Sequence, residues 1–63
     1  MPIIRIEMLT GRTHEQKAQL AKAITEAVVT IGKTKPESTW VVFQDVTKDN
    51  WAEGGTLLSD PKS

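Results

Sequence analysis

The residue with the most distinctive chemistry in this chain is Pro2. Within a chain, proline offers no N–H and fixes φ, and at the first position of a strand it is tolerated. An initiator methionine followed by a small residue is ordinarily removed, and such processing leaves Pro2 as a free secondary amine. An α-amino group titrates near about 7.7–8.0, and a secondary amine is intrinsically more basic. Apolar surroundings and a neighbouring cation both disfavour its protonated form. They bring the base toward neutral pH, where general acid–base chemistry needs it. Arg12 can supply the cation, and Trp51 or Phe43 the low-polarity wall. Pro2 is thus either strand punctuation or the reagent.

Other chemistries find little support. There is no cysteine and a single histidine, which excludes thiol nucleophiles, disulfides, thiolate zinc and multi-histidine metal sites. His14 falls in the first turn of a helix, where a solvated residue is the simpler reading, and Asp45, Asp49 and Asp60 lack metal-loop spacing. Eight basic residues balance eight acidic ones, so neither nucleic acid nor an anionic membrane is indicated as a partner. No segment approaches the roughly 18 apolar residues of a membrane span, and the start lacks the pattern of a secretory signal. The expectation is a cytoplasmic protein.

The elements that must hold these residues are legible from periodicity. Ile4, Ile6 and Met8 alternate with Ile3, Arg5, Glu7 and Leu9, which predicts a strand over 3–9. Thr10-Gly11-Arg12 breaks it. Thr13 followed by Gln16 matches a capping box, and a helix to Ile31 presents Leu20, Ala23, Ile24, Ala27, Val28 and Ile31 as its apolar stripe. Val29 lies off the stripe, and Gly32 is placed to stop the helix. Residues 39–46 are β-branched and aromatic, a second strand. Turns at Lys48–Asn50 and Gly54-Gly55, with a short strand at 56–58 and a fraying tail from Ser59, complete one domain over 1–63. Strand, helix, strand in this length implies a β-α-β unit with parallel strands, an α+β fold.

A domain of 63 residues buries only about 60% of its unfolded surface and is marginal alone. With one helix on two strands, the other sheet face would expose Ile3, Leu9, Trp40 and Val42. An exposed apolar patch of that kind marks an interface. Self-association as a homo-oligomer is the expectation.

Pro2 before an apolar strand, the segment Gly11-Arg12-Thr13-His14-Glu15-Gln16-Lys17, and Trp51-Ala52-Glu53-Gly54-Gly55 together resemble the 4-oxalocrotonate tautomerase family. The similarity runs over essentially the whole chain. It implies a β-α-β subunit with a short C-terminal hairpin, assembling as a homohexamer, a trimer of dimers. It implies a keto–enol isomerase on a small carboxylate, with Pro2 as general acid and base and no metal or organic cofactor. Arg12 would grip the carboxylate of a 2-keto or enol acid, and Trp51 would keep the pocket apolar.

Two further residues bear on the substrate. Where this family carries a second arginine, near the start of the second strand, this chain has Trp40. An indole has one donor and no charge, so it does not replace a charged, bidentate clamp. A dicarboxylate then fits less well than an aryl or monocarboxylate substrate such as phenylenolpyruvate, in a pocket lined by Trp51, Trp40 and Phe43. Glu53 matches the place of a water-activating glutamate in related dehalogenases. It raises the alternative of a hydratase or dehalogenase on an unsaturated acid. Leu9 stands where those enzymes have an additional arginine. A non-catalytic oligomeric module of the same fold is the third reading.

Overall fold

Alternating, β-branched side chains extend the chain over Ile3–Leu9, the strand β1, in the computed structural model, in which residues 1–61 are described. Ile4, Ile6 and Met8 are half-buried on one face, while Ile3, Arg5 and Glu7 are exposed on the other. Gly11 ends the strand at φ 133°, a value that L side chains rarely adopt. Thr13 then caps the helix α1, His14–Gly32. Its hydroxyl accepts the Gln16 N–H at 3.1 Å, and Gln16 Oε1 accepts the Thr13 N–H at 2.9 Å. The expected capping box is present in both directions.

The end of α1 differs from expectation by one residue. Gly32 remains helical, and Lys33 takes the left-handed conformation at φ 59°. The later turn brings Thr34 beside Thr39. Thr39 donates its single hydroxyl hydrogen to the Lys35 carbonyl at 2.9 Å, so Thr34 is the donor across the 2.8 Å contact between the two hydroxyls. Thr39 is the one buried residue among those described. It anchors the 3₁₀ turn Pro36–Ser38 to the start of the next strand.

That strand, β2, runs Trp40–Val46 and pairs parallel with β1, Ile3 opposite Trp40 and Leu9 opposite Val46. A 3₁₀ turn at Lys48–Asn50 leads to a hairpin of two-residue strands, β3 (Ala52–Glu53) and β4 (Thr56–Leu57). Gly54 and Gly55 link them at φ 58° and 86°, the positive pair that a tight hairpin turn requires. The short final strand is thus shorter than expected, ending at Leu57. In the tail expected to fray, the Asp60 N–H donates to the Leu57 carbonyl at 3.0 Å. Residues 62 and 63 lie outside the described residues.

The helix face is the main correction. The half-buried positions of α1 are Lys17, Ala21, Ile24, Thr25, Val28 and Val29. Only Ile24 and Val28 belong to the anticipated stripe, while Leu20 and Ile31 are exposed, Ile31 at 81%. The apolar arc of the helix is wider than a two-stranded sheet can cover. Val29, read as off the stripe, is on the covered side. The bare sheet face does expose Ile3, Trp40 and Val42, whereas Leu9 is half-buried.

No apolar side chain is buried among the described residues. The chain forms a slab of 48 × 23 × 14 Å with a radius of gyration of 15.3 Å, where a compact domain of this length has about 11 Å.

Candidate active site

The amino-terminal end of the sheet holds Pro2 and Trp40. Pro2 is half-buried, and its carbonyl accepts the Trp40 N–H at 3.0 Å, one step before the β1–β2 ladder. Side chains alternate along β2, so Trp40 and Val42 share the bare face with Ile3. Trp40 and Ile3 are each 51% exposed. The indole therefore forms an open apolar wall at the end of the sheet that carries Pro2.

The opposite end holds Arg12, Trp51 and Glu53. Arg12 donates from Nη1 to the Leu9 carbonyl at 3.2 Å, which engages one of the five guanidinium donors and leaves the others for a ligand. The Thr10 N–H bonds to the Val46 carbonyl at 3.0 Å, tying the Gly11-Arg12 turn to the end of β2. Trp51 is half-buried, and its carbonyl accepts the Leu58 N–H at 2.8 Å, which folds the hairpin back on the indole's segment. A cleft of about 490 Å³ opens at Trp51, with Glu7, Gln44 and Asn50 also in its lining, while Arg12 borders a separate depression on the helix with Gln16, Gln19 and Leu20. Glu53 is exposed on β3, opposite Thr56.

Between the two ends lies β1, seven residues long, about 23 Å at the rise of a parallel strand. Within one chain the base and the cation expected to serve it stand at opposite ends of the same strand. Trp40 is grouped with Pro2, and Trp51 and Glu53 with Arg12. Phe43 belongs to neither group. It is half-buried in register with Ile6, on the face that α1 covers. Within one chain it and Trp40 lie on opposite faces of β2, because odd and even positions of a strand point to opposite faces.

Sequence reading missed Lys17 and Asp45. Lys17 Nζ donates to Asp45 Oδ2 at 2.5 Å, joining the first turn of α1 to the end of β2 beside Trp51. The signal was a lone acid closing an apolar strand, and pairing it required the strand register. Among the described residues no three acidic or histidine side chains gather into a metal-binding cluster. No helix is long and apolar enough to cross a membrane.

These elements, in this order and over this length, define a class of small β-α-β enzyme subunits, and known proteins share them. The chain belongs to the tautomerase family, whose sequence model, described as tautomerase enzyme, matches residues 2–61. It is 40% identical over 60 residues to the 2-hydroxymuconate tautomerase of Bacillus subtilis, covering 95% of this chain and 97% of that one. A probable tautomerase of Halalkalibacterium halodurans is 38% identical over 60 residues, covering 95% and 98%. A crystal structure of a 4-oxalocrotonate tautomerase homologue superimposes with a TM-score of 0.91 at 32% identity, covering both chains completely. A heterohexameric 4-oxalocrotonate tautomerase of Chloroflexus aurantiacus gives 0.88 at 32% identity, covering 98% of this chain and 100% of that one. The protein is an isomerase of the tautomerase type.

Proposed function

We propose that the protein ketonises a 2-hydroxy-2-enoic acid at sites built between subunits, with Pro2 as the acid–base residue once Met1 is removed. The observation that carries this reading is the separation of Pro2 from Arg12 by the full length of β1. Both strands of the two-stranded sheet have a free edge, and an unpaired edge is a template for another chain. A second copy that adds its own β1 to this edge about a two-fold axis runs antiparallel. Pro2 and Trp40 of one copy then approach Arg12 and Trp51 of the other. Further association of such dimers into a hexamer suits the exposed Ile3, Trp40 and Val42, and the heterohexameric relative supports that stoichiometry.

In the reaction, the neutral amine of Pro2 accepts the proton of the C2 hydroxyl, the O–H bond breaks and the C2 carbonyl forms. The C2–C3 π pair takes that proton from the ammonium at C3, and the amine returns neutral. Arg12 holds the substrate carboxylate by charge-assisted hydrogen bonds. Trp40 supplies an uncharged wall, which favours an aryl monocarboxylate such as phenylenolpyruvate over a dicarboxylate. Phe43 supports this wall from the helix side of β2. Nothing in the surroundings of Glu53 favours the hydratase reading, since its side chain is solvent-exposed on the hairpin. A cytoplasmic location is part of the reading, supported by the absence of cysteine.

The test is ketonisation of phenylenolpyruvate by material whose intact mass shows Met1 absent. Pro2→Ala should abolish it, and material retaining Met1 should be inactive because its Pro2 nitrogen is an amide. Full activity in either would overturn the proposal.

A further inference from the structure

Given the reading above that two copies pair through the β1 edge, we infer that Arg5 and Glu7 fix the register of that pairing. Each Arg5 meets Glu7 of the other copy, about a two-fold axis at Ile6. The bonds of a parallel pair use alternate residues of each strand. The Pro2 carbonyl and the Thr10 N–H both bond to β2, so the even residues between them face β2. The N–H and C=O groups of Ile3, Arg5, Glu7 and Leu9 therefore lie along the free edge. Two antiparallel copies can exchange hydrogen bonds only between these odd residues. Pairing odd with odd also keeps α1 of both copies on one face of a continuous sheet.

Charge then selects among the registers that remain. Centred on Arg5, the pairing sets Arg5 against Arg5 and Ile3 against Glu7. Centred on Glu7, it sets Glu7 against Glu7 and Arg5 against Leu9. Centred on Ile6, the midpoint of β1, all seven residues of the strand are paired and each Arg5 lies opposite a Glu7. Directly opposed side chains share a face, where opposite charges stabilise the pair and like charges destabilise it. Arg5 and Glu7 are both exposed on the bare face. Among the described residues the single salt bridge is Lys17–Asp45, so neither has an ion partner within its own chain. Paired across the axis, they can be buried with Ile3, Trp40 and Val42 without leaving a lone charge.

The same register completes the site. Ile3 of one copy faces Leu9 of the other, and Pro2 faces Thr10. The Leu9 carbonyl already holds Arg12 Nη1 at 3.2 Å, so the guanidinium of one copy is delivered beside the strand residue that follows Pro2 of the other. Each slip of two residues along the edge changes that separation by about 7 Å. Arg5 and Glu7 touch no substrate, yet they set the distance between base and cation.

The test is association of charge-reversed variants, followed by native mass spectrometry and sedimentation. Arg5→Glu and Glu7→Arg each oppose like charges twice per pair of copies, and each should raise the concentration needed for self-association roughly tenfold or more. These losses should shrink at high salt. Mixed together, the two variants are complementary at both positions and should form heteromers with parental affinity, which an ion pair within one chain does not predict. The chain has no cysteine, so a single introduced thiol reports the register directly. Ile6→Cys should oxidise to a covalent dimer, because residues opposed at the axis have Cα atoms about 4.5 Å apart. Arg5→Cys and Glu7→Cys should not. Single charge variants that associate like the parent, no rescue on mixing, or crosslinking through Arg5→Cys or Glu7→Cys in place of Ile6→Cys would each overturn the register. Should a charge variant fail to fold, the cysteine set decides. A parent that stays monomeric overturns the register and the between-subunit site together. A parent that pairs in this register while Pro2→Ala stays active overturns the catalytic reading alone.

Discussion

The backbone N–H of Trp40 donates to the carbonyl oxygen of Pro2 at 3.0 Å. This bond fixes the start of β2 against the start of β1, whatever side chain position 40 carries. Trp40→Arg should therefore keep the fold and change only the chemistry beside the amine. We expect the ratio of kcat/KM for 2-hydroxymuconate to that for phenylenolpyruvate to rise about 10- to 100-fold, the range of one charge-assisted hydrogen bond. Trp40→Phe should leave the ratio near that of the parent. Steady-state kinetics on both substrates, with the far-ultraviolet circular dichroism as a fold control, checks this.

Pro2 and Arg12 at opposite ends of one strand make a complementation test decisive. Pro2→Ala homo-oligomers should be nearly inactive, and Arg12→Ala homo-oligomers nearly so at substrate concentrations well below their raised KM. Refolded together, they should regain activity, because a mixed pair has one site that takes Pro2 from one chain and Arg12 from the other. Random pairing in two-fold dimers restores about a quarter of the sites. No recovery in a mixture shown to be mixed by mass would mean that each site is confined to one chain.

Arg12 itself should act through binding. Its Nη1 is held by the Leu9 carbonyl at 3.2 Å, so the planar fork is already oriented before substrate arrives. Arg12→Ala should raise KM for phenylenolpyruvate about 10- to 100-fold, corresponding to a lost charged hydrogen bond. Arg12→Lys should recover only part of that, since a point charge replaces a fork. The methyl ester should be nearly indifferent to both changes.

Thr39 carries a purely structural prediction. It is 9% exposed, and its hydroxyl both donates to Lys35 and accepts from Thr34. Thr39→Val keeps the shape and strands the Lys35 carbonyl and the Thr34 hydroxyl. We expect a loss of about 1–3 kcal/mol, read from urea denaturation at one fixed protein concentration. Because Trp40 follows directly, the variant should also lower kcat at temperatures where it is still folded.

The sequence made the elements legible because their signals are local. Alternation gave β1 to the residue, and Thr13 with Gln16 gave the start of α1. The stripe of α1 was misread because periodicity reports which residues are apolar and not how much sheet is available to cover them. Leu20 and Ile31 look like core by spacing and are exposed because two strands are narrower than the helix's apolar arc. The site was legible as a set of residue types and not as an arrangement. Pro2, Arg12, Trp40 and Trp51 could be named from resemblance and chemistry, but their partition between two ends of the sheet follows from the parallel register. Lys17 and Asp45 stayed hidden because a pair 28 residues apart has no local signature.

A slab with no buried apolar side chain among the described residues also changes how variation in this chain should be read. In most domains exposed positions drift freely and core positions do not. Here Ile3, Leu20, Ile31, Trp40 and Val42 lie on the outside of the subunit, and in the proposed assembly such residues become the interior. A polar substitution at any of them should be as harmful as one in an ordinary core, and the harm should ease as protein concentration rises, because it falls on association. In the proposed assembly, mutational tolerance is a property of the association and not of the subunit's fold.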